Sequence, residues 1–117
     1  MPDEVSAVAR TYDPALWLLP HIAGFARQHR FTLGDRMEEG ILEVLELLVE
    51  ASYTREKREL LRCANLRLER LRYLVRQAKD LHLLTVKQYE YAARAMQAIG
   101  NEIGAWQKQQ RLREPGQ

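Results

Sequence analysis

A single cysteine, Cys63, stands in the chain, so no intrachain disulfide can form, and a reducing, cytoplasmic setting is the expectation. With only 6 glycines and 4 prolines, the chain lacks the closely spaced turns that a β-rich fold needs. No uncharged apolar run approaches the roughly 18 residues of a membrane span. Met1 to Arg10 carries Asp3 and Glu4 and has no apolar stretch, so no signal peptide is expected either.

Catalytic and metal-binding patterns are equally scarce. His21, His29 and His82 are scattered without partners one helical turn away, which favours isolated histidines over metal ligands. Glu39, Glu43, Glu46 and Glu50 follow helical spacing, but the Glu-x-x-His pairs of di-iron bundles are missing. Cys63 has Arg62 and Arg67 nearby and no histidine at helical spacing, so it reads as a half-buried structural thiol. Serine, histidine and aspartate fall into no triad context, and neither a glycine-rich phosphate loop nor a nucleophile elbow occurs. No enzymatic activity, cofactor, metal or small-molecule substrate is expected.

What the chain does have is helical periodicity. At 117 residues with 46% apolar and 29% charged content, it is sized for one domain that buries a core without staples. Met1–Thr11 shows no clear period and is expected to be a flexible tail. Asp13-Pro14 reads as an N-cap and first helical position, opening a helix through Trp17, Leu18, Ile22 and Phe25 to about Gln28, with Pro20 as a kink or break. Thr32 and Asp35 have the spacing of a capping box ahead of Met37, Ile41, Val44, Leu45 and Leu48.

Thr54 is placed to cap a third helix, in which Leu61, Ala64, Leu68, Leu71, Val75 and Ala78 step by 3, 4, 3, 4 and 3 residues to about Leu81. Leu60, Leu74 and Leu81 widen that stripe. Thr85 and Gln88 form another capping box, followed by Val86, Tyr89, Ala92 or Ala93, Met96, Ile99, Ile103 and Trp106. Residues 111–117, with Pro115 and Gly116, are expected to be a flexible tail. Short connections make consecutive helices antiparallel neighbours, so the expected fold is all-α, an up-down-up-down four-helix bundle over residues 12–110.

Charge is unevenly shared. The net charge is only +2, yet Asp35–Glu50 holds six acids against Arg36 alone, while Arg55–Lys79 holds nine bases, half of the chain's 18, against three glutamates. The candidate nucleic-acid-binding residues are Arg58, Arg62, Arg67, Arg70, Arg72, Arg76 and Lys79, since arginine's planar fork suits phosphate. Two outcomes stay open: a surface that neutralises phosphates, or a solvated face whose arginines pair with the second helix's glutamates. Charge reversal at Arg72 and Arg76 is the expected way to weaken binding. Tyr89, Tyr91 and Trp106 are candidate base-stacking residues, with core or interface packing as the competing role. Trp17, Phe25 and Phe31 are expected to pack the first helix against the bundle end.

Several segments, in this order, carry a family likeness: Trp17-Leu-Leu-Pro20, Arg30-Phe-Thr-Leu-Gly-Asp-Arg36, Glu50-Ala-Ser-Tyr53, Ala64-Asn65, Lys79-Asp80, Gln88-Tyr-Glu-Tyr-Ala-Ala93 and Ile103-Gly-Ala-Trp-Gln-Lys108. Over about Tyr12 to Gln109 the chain resembles the accessory variability determinant proteins of diversity-generating retroelements. The resemblance implies a four-helix bundle assembled into a homopentameric ring or barrel. It also implies binding to the element's reverse transcriptase and to template RNA or DNA, in support of mutagenic retrohoming. Arg62, Arg67, Arg70, Arg72, Arg76 and Lys79 are the positions matching the family's basic contact surface. A sister group, the four-helix proteins encoded in ribosomal RNA intervening sequences, usually carries Asn-x-Ala-Glu-Gly in the second helix. Glu39-Gly-Ile-Leu-Glu-Val-Leu-Glu46 lacks it. That group, and a purely structural scaffold without nucleic acid, are the alternatives.

Overall fold

The computed structural model describes residues 6–113; its regular structure is all helix, joined by short turns, with no strand among the described residues. Four long helices form it: α1 (Ser6–Ala23), α2 (Asp35–Tyr53), α3 (Arg58–Asp80) and α4 (Val86–Arg113). A one-turn helix, Arg27–His29, and a π-helical turn, Arg30–Gly34, lead into α2. Packing closes a cycle in which α1 lies on α2, α2 on α3, α3 on α4, and α4 back on α1. Glu43 meets Arg67 while Gly40 faces Leu71, and Gly100 faces Arg72 while Tyr89 meets Lys79, so α3 runs antiparallel to both neighbours. The molecule measures 51 × 24 × 21 Å, the shape of a bundle about one long helix in length.

The 3,4 spacing does what hydrophobic burial requires of it. Leu61, Ala64, Leu68, Leu71, Val75 and Ala78 of α3 all lie in the core, facing Met37, Ile41, Val44, Leu48 and Ala51 of α2 and Ala92, Met96, Ile99, Ile103 and Trp106 of α4. Most of these side chains are within a few per cent of complete burial. Each fully buried aliphatic contributes about 1.5–3 kcal/mol.

Several sequence-based expectations need correction. The first helix begins at Ser6, not at Asp13, because Ala7, Val8, Thr11 and Ala15 already share one buried face, and the Thr11 hydroxyl donates to the Ala7 carbonyl at 2.7 Å. Asp13 and Pro14 therefore lie inside α1, and the expected flexible tail 1–11 is helical from residue 6. Positions 1–5 lie outside the described residues. Thr32 caps nothing, since the chain enters α2 without a break and its hydroxyl points back at the Gln28 and His29 carbonyls, 3.4 and 3.3 Å away. Thr54 closes α2 by donating to the Glu50 carbonyl at 2.7 Å, and no side-chain cap opens α3. At the other end α4 continues through Arg113, so residues 111–113 are helical and 114–117 lie outside the described residues.

The capping box at the start of α4 forms as expected. Thr85 Oγ1 accepts from the Gln88 backbone N–H at 3.1 Å, and Gln88 Oε1 accepts from the Thr85 N–H at 2.9 Å. Phe25 is buried, but Phe31 is 58% exposed, with the Arg30 guanidinium 4.7 Å from its ring centroid, so Phe31 does not pack the bundle end.

The α3–α4 connection turns on His82, whose φ of 61° is in the left-handed region. Its N–H donates to the Lys79 carbonyl at 2.9 Å and that of Leu83 to the Ala78 carbonyl at 2.8 Å, the paired bonds of a Schellman end. Glycine takes this conformation without a Cβ clash, and His82 is exposed. His82→Gly should stabilise the fold by about 0.5–1 kcal/mol, visible as a raised midpoint in urea denaturation.

Candidate nucleic-acid interface

Helix α3 carries all seven candidate bases, and its packing sorts them. The buried seam faces the core, so residues at other angles fall on the α2 flank, the α4 flank or the outward face. Arg67 lies on the α2 flank, where its Nε is 2.7 Å from Glu43 Oε2. Both side chains of that pair remain more than two-fifths exposed, so the pair contributes at most about 1 kcal/mol. It is the one candidate that meets a glutamate of α2 among the described residues.

Arg72 lies on the opposite flank and reaches α4. Its Nη1 donates to Gln97 Oε1 and its Nη2 to the Met96 carbonyl, each at 3.3 Å. Its Nε sits 3.2 Å from Glu69 Oε1, a charge contact bent too far to hydrogen-bond, which leaves that buried N–H without an acceptor. Gly100 makes room for this reach, since a Cβ there would stand 2.7 Å from Arg72 Nη2. Arg72 thus ties α3 to α4, and reversing its charge would disturb packing as well as any ligand. Lys79 is also engaged, 4.8 Å over the Tyr89 ring and 3.4 Å from Asp80 Oδ1.

Arg62 forks onto Glu59 one turn back, with Nη2 2.7 Å from Oε1 and Nε 3.1 Å from Oε2. The hydrogen bond and charge of Arg62 hold the Glu59 carboxyl below its ordinary range, and Glu59 in turn raises Arg62. A lowered carboxyl makes this clasp complete at neutral pH and weakens it only on acidification; both groups are exposed, so its contribution to stability is small.

Arg58, Arg70 and Arg76 remain. All three are exposed and, among the described residues, no carboxylate lies within 4 Å of any of them. Arg58 and Arg76 stand on one line of the helix, about five turns or roughly 27 Å apart. Two bases outside the seven candidates join them. Arg111 of α4 lines a shallow cleft with Arg58 and Arg62, and Arg36 of α2 lines a groove with Arg67 and Arg70. In the sequence Arg111 is hidden by its place in an expected tail, and Arg36 by the acidic balance of α2.

The stacking candidates are occupied. Tyr89 receives Lys79, Tyr91 lies 4.6 Å from the Trp17 ring, and Trp106 is buried. Trp17 also stacks on His21 of its own helix at 4.0 Å, and its contact with Tyr91 joins α1 to α4 as packing. Cys63 is half-buried, with its Sγ 3.7 Å from Glu59 Oε1. Among the described residues no three His, Cys, Asp or Glu side chains group as a metal site, and no helix is long and apolar enough to cross a membrane.

The family model described as bAvd-like covers residues 7–110. The chain belongs to the bAvd-like family. The match begins within the first turn of α1, five residues ahead of the span over which the sequence segments resemble the family. Membership points to an accessory role in diversity-generating retroelements, the role of a non-catalytic helper. No curated protein matches the chain.

Proposed function

We propose that the protein is a non-catalytic accessory subunit of a diversity-generating retroelement, which holds template RNA or DNA beside the element's reverse transcriptase and so supports mutagenic retrohoming. Family membership supports the general role. The observation that carries the nucleic-acid part is the set Arg58, Arg70 and Arg76, exposed on one helix and free of ion pairs among the described residues. Exposed guanidinium groups not held in ion pairs are open to phosphates and release counterions on binding, although the charge of Arg58 is also felt by the neighbouring Glu59 carboxyl. Arg62, Arg67, Arg72 and Lys79 lend positive potential but are held by their own neighbours. The protein would act in a reducing cytoplasm, where Cys63 stays a thiol.

The same reading includes a homo-oligomer, a five-fold ring by family likeness. Support comes from an apolar flank. Trp17 and His21 mark the α4 side of α1, so Tyr12, Leu16 and Leu19 fall on its α2 side. Gly40 and Glu43 mark the α3 side of α2, which puts Leu42, Leu45 and Val49 on its α1 side. Tyr12, Leu16 and Val49 are 51%, 56% and 40% exposed, forming a patch that a second copy of the chain would cover while α3 stays open.

Light scattering on gel-filtered protein tests this, and Leu16→Glu is expected to lower the mass to that of a smaller assembly without loss of helical signal. Co-elution with the element's reverse transcriptase tests the partner. A monomer that ignores both transcriptase and RNA would overturn the function proposed. An assembly that dissolves on reversal of Arg58 and Arg76 and never binds RNA would favour the structural scaffold.

A further inference from the structure

Between α2 and α3 runs a groove of about 620 Å³ with Arg36, Glu39 and Glu43 on one wall and Arg67, Arg70 and Tyr73 on the other. Its floor is Gly40, Leu71 and Leu74. Gly40 leaves that floor open: a Cβ there would meet Leu71 Cδ1 at 3.3 Å and fill the space above it. Arg67 and Glu43 neutralise each other across the groove at 2.7 Å. Arg36 and Arg70 have no carboxylate within 4 Å among the described residues, so both keep an uncommitted charge. Tyr73 stands one turn beyond Arg70 with 70% of its surface exposed, and no aromatic or cationic neighbour covers its ring among the described residues.

We infer that this groove is a single-strand site, in which Tyr73 stacks one unpaired base while Arg36 and Arg70 hold the phosphates on either side of it. The inference rests on the nucleic-acid reading above and narrows it to a strand whose bases are free. A guanidinium fork suits a phosphate, and two lie on opposite walls. A base needs an open π face, and Tyr73 combines an exposed, uncovered ring with arginines nearby. In a duplex the bases stack on one another, so paired nucleic acid meets the arginines but not the ring.

The test is fluorescence anisotropy of the full chain with a labelled single-stranded RNA, the same sequence as DNA, and its duplex. Tyr73→Ala is expected to lower affinity for both single strands about 5- to 100-fold and to leave the duplex within about twofold. Tyr73→Phe should retain single-strand affinity, and Arg36→Gln should lower it. Combined Arg58→Gln and Arg76→Gln replacement should lower single-strand and duplex binding alike. If Tyr73→Ala binds single strands as the parent does while that double replacement still weakens binding, the groove assignment fails and the broader function stands. If the parent binds none of the three probes, both fail. A changed oligomeric mass for Tyr73→Ala with unaltered RNA binding overturns the inference, since a second copy then covers the ring.

Discussion

Replacing Arg58, Arg70 and Arg76 together with glutamate is expected to leave the bundle folded and remove most of its affinity for nucleic acid. All three side chains are exposed, and no ion pair among the described residues depends on them, so helical circular dichroism and the thermal midpoint should stay close to the parent's. Binding should respond differently. Each phosphate that is no longer neutralised makes the dependence of log affinity on log salt shallower by about 0.7 on a single strand and about 0.9 on duplex. Removing three such cations therefore flattens the slope by about 2 on a strand and nearly 3 on duplex. The same triple change at Arg62, Arg67 and Arg72 should cost less binding and more stability, because those groups hold Glu59, Glu43 and α4. Equal losses from the two triples would mean that burial and pairing do not sort these arginines.

Leu68→Ala is expected to be the most damaging single truncation in α3. Leu68 is fully buried at the helix's midpoint, and Gly100 brings α4 so near that a Cβ there would stand 3.5 Å from Leu68 Cδ2. Rigid neighbours on both sides cannot collapse into the void, which puts the cost at about 2–5 kcal/mol. In a domain of this size the thermal midpoint should fall on the order of 10–20 °C. Leu66→Ala, two residues away and 49% exposed, should change stability by less than about 0.5 kcal/mol. A similar loss for both would contradict the assigned core.

How much of the fold is legible in the residues follows from what helical spacing encodes. Periodicity assigns a side chain to an angle around its own helix, so the six-residue seam of α3 and the inward faces of α2 and α4 can be read directly. The Thr85–Gln88 box is legible because both of its bonds are local. Angle alone does not say what stands beside a flank. Arg67 and Arg72 fall on opposite sides of the seam, and only the neighbouring helices determine that one meets Glu43 while the other meets Met96 and Gln97.

Local signals also mislead where tertiary packing outweighs them. Asp13-Pro14 resembles a helix start, but burial of Ala7, Val8 and Thr11 carries α1 back to Ser6. Thr32 and Asp35 have capping-box spacing, yet the π-helical turn before α2 leaves no helix end there to cap. Tyr73 gives no signal in the sequence because an isolated tyrosine among arginines has no period of its own. Its surroundings emerge when Arg36 arrives from α2 to face Arg70 across the groove.

The most direct test of the central claim is a salt titration of RNA binding by the unaltered protein, from about 0.05 to 0.3 M monovalent salt. Three uncommitted arginines predict a log–log slope of about −2 or steeper on a single strand. A flat dependence, or no binding at the lowest salt, would contradict the claim that α3 is a phosphate-facing surface.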